Sequence, residues 1–420
     1  MQNIEIVTIG DELVEGRLTD TNSGWMSQQL LEAGFVVTRH TSVGDELDLM
    51  IAALQESAAR SAAVLVSGGL GPTTDDLTAD AAAKAFGRKT ELVPFALEHV
   101  KRAFRMMGRT MTPNNEKQAW LPEGCGLIEN RRGTATGFTL DVRHSRLYFM
   151  PGVPKELYGM FQGFVLPDLR ERLSPGMVRV SGLKLMGLGE SKVGDLLESL
   201  TPPSPGALTI QYRAAMPEVH VRLCLRGYER WESAGDDVLA ELTEEALRRL
   251  GPSVYTQGDE TLAQTIMELL RRREETVATA ESCTGGLASA ELTSVAGSSV
   301  AFMGGVVSYA NDVKVQLLGV SDGLLAEHGA VSEPVAAAMA SGVRARLGTT
   351  YGVATTGIAG PGGGTEEKPV GTVYIALATP DEVTVRKLFF AGDRERIRRY
   401  TASSALDLLR RYLQGVLHLT

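Results

Sequence analysis

Thr279-Ala-Glu-Ser-Cys-Thr-Gly-Gly286 is the stretch on which the fold turns. The apolar run Thr276–Ala280 reads as a buried strand, and Leu287–Thr293 reads as the first turns of a helix. Between them stand three adjacent side chains with nucleophilic atoms, Ser282, Cys283 and Thr284, followed by Gly285 and Gly286. A strand that turns into a helix this sharply belongs to an α/β sheet. The turn places hydroxyls near free N–H groups and the positive end of a helix dipole. That geometry suits an oxyanion, and it equally suits a plain helix cap by Ser or Thr.

Working outward, the same alternation repeats. Residues 262–273 form an amphipathic helix, 304–310 a strand, 311–318 and 334–347 helices, and 351–356 a strand running into Gly357-Ile-Ala-Gly-Pro-Gly-Gly-Gly364. Val370–Ala378 and Val383–Ala391 follow as paired strands, then a terminal helix over 393–417. A serine nucleophile needs a base, and His328 and His418 are poorly placed for it. Lys314, one helical turn past a strand end, is the best choice, because burial lowers a lysine pKa. Tyr309 ends the same strand and could orient the lysine or pass a proton. The loop with Gly357 and Gly360 offers N–H groups to phosphate or oxyanion. A solvated helix lysine is the plain alternative for Lys314.

The amino-terminal part alternates too: strands at 3–9, 35–41 and 62–67, helices at 20–33, 46–59 and 76–86. In parallel sheets, ligands bind at the carboxyl ends of the strands. Those ends carry Gly10-Asp11-Glu12, Val43-Gly44-Asp45 and Gly68–Asp76. The turn Gly68-Gly69-Leu70-Gly71, with Thr73, can cradle phosphate. Asp75, Asp76 and Asp80 would repel phosphate unless a divalent cation lay between, and a helix start would place Asp76 and Asp80 on one face. Simple helix capping by Asp75 and Asp76 is the alternative. Arg109, Asn114 and Lys117 in a polar loop, and Lys155 at a turn, are candidate phosphate contacts. Between the two parts, a strand over 178–186, a helix over 190–200, a break at Pro202–Gly206, alternating apolar and polar runs at 208–213 and 218–225 and a helix over 229–250 predict a small α+β module. It shows neither a basic loop nor stacking aromatics, so a spacer or dimerisation role fits it better than RNA binding.

The 420 residues predict several domains, and 43% hydrophobic with 22% charged residues is ordinary for globular ones. A net charge of -9 argues against broad duplex-DNA binding. Its basic runs, Arg271–Arg273 and Arg394–Arg399, read as solvated helix faces. Three scattered cysteines fit a reducing cytoplasm. No signal peptide, no membrane span of ~18 apolar residues and no zinc-hydrolase HExxH pattern is read.

Several long motifs carry a family resemblance. Ala280–Gly286, Gly304–Asn311, Gly329–Ser332, Thr356–Gly364, Lys368–Val373 and Gly392-Asp-Arg394 resemble the nicotinamide mononucleotide deamidase family. Gly10–Arg17, Asp20–Asn22, Val43–Asp45, Gly68–Thr78 and Pro151–Lys155 resemble the molybdopterin-binding-like domain of CinA proteins, and the order of the parts resembles full-length CinA. The resemblance implies an α/β protein: two α/β domains with mainly parallel sheets, over residues 1–170 and 257–420, joined by a KH-like module over 171–256. It implies hydrolysis of nicotinamide mononucleotide to nicotinate mononucleotide and ammonia, with Ser282 as nucleophile, Lys314 as its partner, Tyr309 nearby, and Thr284, Gly285, Gly286, Thr356, Gly357, Gly360 and Arg394 around the substrate. It implies no cofactor there. For the first domain it implies cleavage of ADP-ribose with a divalent ion (Mg, Mn or Co), and Asp11, Asp45, Asp75, Asp76 and Asp80 are the candidate ligands. A homodimer without nucleic-acid or membrane partners is expected. The rival reading is a pterin- or nucleotide-binding scaffold that serves competence or recombination through protein partners.

Overall fold

The computed structural model describes residues 3–173, 178–201, 208–226 and 234–417. The chain divides into two compact units, one running to Arg179 and taking in Arg226, the other built from Val180–Leu225 and the chain from Ala234 onward. The break expected at 202–206 and the start of the helix expected from Glu229 lie outside the described residues.

In the first unit, β1 (Ile4–Ile9), α1 (Asp11–Val14), α2 (Thr21–Glu32), β2 (Val37–Val43), α3 (Leu47–Arg60), β3 (Ala63–Ser67) and α4 (Thr78–Ala85) follow in turn. Then come β4 (Thr90–Leu92), α5 (Pro94–Met106), β5 (Trp120–Pro122), β6 (Gly126–Ile128), β7 (Gly137–Val142), β8 (Ser145–Met150), α6 (Pro154–Met160) and α7 (Leu166–Arg172). The sheet order is β2-β1-β3-β8-β7-β6. Its first four strands are parallel and the last two antiparallel. β1 and β3 are buried at every residue because helices cover both faces, so they read as unbroken apolar runs. The chain leaves β1 for β2 on one side and returns to β3 on the other, which opens a crevice at their carboxyl ends.

The second unit starts with β9 (Val178–Met186), α8 (Glu190–Leu197), β10 (Leu208–Ala215), β11 (Glu218–Arg226), α9 (Ala234–Leu250) and β12 (Val254–Gln257), in a sheet ordered β10-β11-β9-β12. It continues with α10 (Leu262–Arg273), β13 (Val277–Glu281), α11 (Leu287–Thr293), β14 (Phe302–Val307), α12 (Asn311–Leu318), α13 (Asp322–His328), α14 (Glu333–Leu347), β15 (Tyr351–Gly357), β16 (Thr372–Ala378), β17 (Val383–Phe389) and α15 (Arg394–Leu413). Here the order is β14-β13-β15-β16-β17, with β13 parallel to both neighbours and β16 and β17 antiparallel. One core, with Met267, Val277, Val353 and Leu406, lies under α10, α11 and α15 and takes in Met186 and Tyr255 of the small module. The other face, with Ala278, Ala280 and Ala354, packs on α14 and the end of α12. Gly342 lets those two helices approach: a Cβ there would meet the Leu318 carbonyl at 1.9 Å.

Candidate functional sites

The turn after β13 is organised by a residue that motif reading passed over. Glu281 is 1% exposed, and its carboxylate accepts from the N–H groups of Gly286 (2.9 Å), Ala288 (3.1 Å) and Ser289 (2.8 Å) and from the hydroxyls of Thr284 (2.7 Å) and Ser289 (2.6 Å). The cap of α11 is thus a buried carboxylate reaching up from the strand, not Ser282 or Thr284, and the cap position itself is Gly286 at φ 99°. A charge inside an otherwise apolar strand was the available signal. Thr284 is fully buried, its hydroxyl shared between Glu281 and Thr355 (2.7 Å), which removes it from substrate contact.

Alternation then separates the chemistry. Glu281 faces α11, and the next residue continues the ladder through its N–H to the Thr355 carbonyl (3.0 Å), so Ser282 faces the α12 side. In register with it stand Ser308 after β14 and Thr356 in β15. Lys314 of α12 comes to this face. It is 1% exposed, and its Nζ donates to the carbonyls of Ser308 (2.8 Å) and Tyr309 (3.4 Å). Burial holds its pKa below the usual lysine value, against an opposing interaction with the Cys283 sulfur. The solvated alternative for Lys314 is therefore set aside. Ser282 is half-buried and its hydroxyl makes no hydrogen bond among the described residues. Ser308 is fully buried with an unpartnered hydroxyl. Thr356, also buried, donates to the Ala330 carbonyl (2.7 Å).

Cys283 is buried, and desolvation pushes its thiol up to about 12. The basic run at 394–399 is not merely solvated. Arg394 donates to the Gly360 carbonyl (2.6 Å) and to the Tyr309 hydroxyl (2.9 Å), joining the glycine loop to the end of β14. Arg398, one turn on, donates to the Thr284 carbonyl (2.8 Å) and braces the serine turn beside Gly285. Tyr309 is 62% exposed, its hydroxyl held by Arg394 and only its carbonyl near Lys314. Gly357 admits no Cβ, which would lie 2.5 Å from Val373.

In the first unit a cleft of about 660 Å³ opens at the β1–β3 crevice, lined by Glu12, Asn22, Asp45, Gly68, Gly69, Gly71, Asp75, Asp76 and Gln118 among others. Gly68 (φ 113°) and Gly69 (φ 66°) lie in the left-handed region, and Cβ atoms there would meet the Ile9 carbonyl and the Thr78 hydroxyl, both at 2.2 Å. The N–H groups of Gly69, Leu70 and Gly71 have no acceptor among the described residues.

Four expectations change here. The helix starts at Thr78, not Asp76, because the Thr78 hydroxyl (2.9 Å) and N–H (3.2 Å) are pinned to the carbonyls of Gly68 and Gly69. Asp76 and Asp80 therefore do not share a helical face. Asp76 instead accepts from the N–H (2.8 Å) and the hydroxyl of Thr73. Asp80 lines a narrower pocket with Asp76 and Lys117. Third, Asp11 and Asp45 lock onto each other's backbone N–H, both at 2.9 Å. Burial and the nearby charges of Asp11, Glu12 and Asp75 raise the Asp45 pKa. Among the described residues no three His, Cys, Asp or Glu side chains form a metal-ligand group. The carboxylates on this cleft would supply one or two oxygen ligands to a divalent ion and do not form a preformed cage among the described residues. Finally, Asn114 lines a shallow groove with Thr73 and Lys117, and Arg109 and Lys155 stand exposed rather than on the cleft.

The fold and these two places define a class: multidomain α/β proteins with a glycine turn at one sheet edge and a serine turn at another. Family models match the chain in three successive stretches: a probable molybdopterin binding domain over residues 5–171, the damage-inducible protein CinA KH domain over 181–256 and the CinA C-terminal domain over 259–413. A CinA-like protein of Geobacter sulfurreducens is 45% identical over 411 residues, covering 98% of this chain and 99% of its own. Another, from Anaeromyxobacter dehalogenans, is 44% identical over 412 residues, 97% and 98% of the two chains. The chain belongs to the CinA family. A solved structure of the competence/damage inducible protein CihA from Agrobacterium tumefaciens is 42% identical where it matches, covers 36% of this chain and 93% of its own, and has a TM-score of 0.36.

Proposed function

We propose that the last domain is an amidohydrolase that converts nicotinamide mononucleotide to nicotinate mononucleotide and ammonia. The observation that carries this is Lys314: a fully buried lysine with only carbonyl partners, on the sheet face that receives Ser282. Its neutral amine takes the proton as Ser282 Oγ attacks the carboxamide carbon. Ser282 is not bonded to it at rest, so the hydroxyl turns onto the amine when substrate is seated. The proton then leaves with ammonia, an ester to Ser282 forms, and water activated by the same amine releases the carboxylate. Glu281 occupies the N–H groups of Gly286, Ala288 and Ser289, the Ser282 carbonyl takes that of Gly285, and Thr284 is fully buried, so we assign the N–H of Cys283 to the oxyanion. Arg394, tied to Gly360 and Tyr309, is the cation we assign to the mononucleotide phosphate.

Ammonia release by wild type, Ser282→Ala and Cys283→Ala tests this. Serine loss is expected to abolish turnover and cysteine loss to spare most of it. Turnover by Ser282→Ala equal to wild type would remove the serine from its role.

For the first domain we propose cleavage of the ADP-ribose pyrophosphate, supported by the unpartnered N–H groups of Gly69, Leu70 and Gly71. A divalent ion, held by Asp45 and Asp75 together with the phosphates, would polarise the phosphorus. The glycine turn orients the phosphates, and Glu12 and Asp45 line the same cleft. Incubation with ADP-ribose, with and without chelator, is expected to give chelator-sensitive cleavage; full activity after exhaustive chelation would contradict the metal role.

A further inference from the structure

Two carboxamides flank the glycine turn. Asn22, 9% exposed, donates through Nδ2 to the Gly152 carbonyl (2.7 Å) and the Ser67 hydroxyl (3.2 Å), while its Oδ1 is buried without a partner. Gln118, 5% exposed, donates through Nε2 to the Leu70 carbonyl (3.3 Å), and its Oε1 is likewise buried and unpartnered. In both, the carbonyl partner of the nitrogen fixes which end is oxygen. Both residues line the 660 Å³ cleft. A buried acceptor without a donor is costly, and a donor carried into the cleft would relieve that cost.

Beside its acidic residues, the cleft thus has two further, chemically distinct parts. The turn over Gly69–Gly71 offers donors only, which suits an anion. Asn22 and Gln118 offer neutral acceptors only. Neutral buried acceptors match neutral donors, because an ammonium would call for a carboxylate at the same depth. A ligand with an anionic group at one end and hydroxyls beside it is a sugar phosphate.

We infer that Asn22 Oδ1 and Gln118 Oε1 form a sugar-hydroxyl subsite, accepting from the ribose of a ligand whose phosphate lies on the glycine turn. This rests on the ADP-ribose reading of the cleft and adds to it the residues that select the sugar.

The test is calorimetric titration of the full chain with ribose 5-phosphate, 2-deoxyribose 5-phosphate and inorganic phosphate. Wild type should prefer the ribose compound by about tenfold, the worth of one buried hydrogen bond. In Gln118→Met or Asn22→Ala that preference falls toward one while inorganic phosphate binds as before. A merely structural role would weaken all three ligands alike. Absence of preference in wild type overturns the inference, as does a preference that survives in both Gln118→Met and Asn22→Ala. Loss of the preference on adding chelator also overturns it, since the amide oxygens would then be holding an ion. If ribose is preferred and lost as described but ADP-ribose is not cleaved, the pyrophosphatase reading falls and the subsite stands.

Discussion

Lys314 has its chemistry from its surroundings. Desolvation favours the neutral amine, so a larger fraction is ready to act as base near neutral pH than for a free lysine. Deamidation should therefore rise with pH to a plateau, with a midpoint below the 10.5 of a free lysine. Lys314→Arg, always protonated, should lose about 10²–10⁴ in kcat, read by ammonia release. A profile flat from pH 6 to 10 would contradict the base role. The same shift has a stability sign. The folded state binds fewer protons at this site than the unfolded chain, so its contribution grows as pH rises toward the unfolded value. The neighbouring Cys283 behaves oppositely: held up to about 12, it stays a thiol, and its alkylation should wait for unfolding. Lys314 could be named from spacing, since its distance from a strand end is visible along the chain. Its burial, and the contrast between Ser282 and Cys283, come from packing between distant segments and could not be read there. The subsite residues Asn22 and Gln118 lie 96 positions apart along the chain and meet only through the glycine turn between them.

Among the elements, α11 depends most on a single side chain. Glu281→Gln keeps the shape but replaces one acceptor oxygen with a donor facing N–H groups. It should cost about 2–4 kcal/mol in urea unfolding, as broken charge-assisted bonds do when buried. One turn further along α11, Glu291 accepts from Ser403 of α15 at 3.4 Å, and burial, with Glu218 and Glu281 nearby, raises its carboxyl to about 7. The native state holds a proton there that the unfolded chain has already released. Stability from this group is therefore present below pH 4.5 and lost as pH rises through about 7. Glu291→Gln should remove that loss, worth about 3 kcal/mol at pH 8 and little at pH 4; thermal melts at both values decide it. Gly342→Ala is expected to push α12 off α14 and with it Lys314, lowering deamidation while ADP-ribose cleavage is spared. The helices were legible as periodic runs, whereas their caps were not. Ser and Thr in the turn looked like the cap because local sequence shows only nearby acceptors, and Glu281 caps from the preceding strand.

Across the whole molecule the alternation of strand and helix announced both α/β domains, and each site does lie at the carboxyl edge of a sheet. What escaped reading was short or contextual: β4 and β5, three residues each, and β12, which pairs with β9 from over sixty positions away. The antiparallel edges were visible only as paired runs. Among the described residues no helix is long and apolar enough to cross a membrane. Chelation should separate the two proposed activities, stopping ADP-ribose cleavage and leaving ammonia release intact. Light scattering is expected to give twice the 45.0 kDa chain mass for the proposed homodimer; a monomer would leave the small module as a spacer. The buried carboxylate beneath the serine turn also bears on how such a chain can change through descent. A variant without Ser282 keeps its shape and can regain its chemistry by one reversion, so drift can cross that state. A variant without Glu281 loses the turn on which any nucleophile would have to stand. Lineages that abandon catalysis should therefore shed the serine before the glutamate, and a survey of inactive relatives should find the glutamate outlasting it.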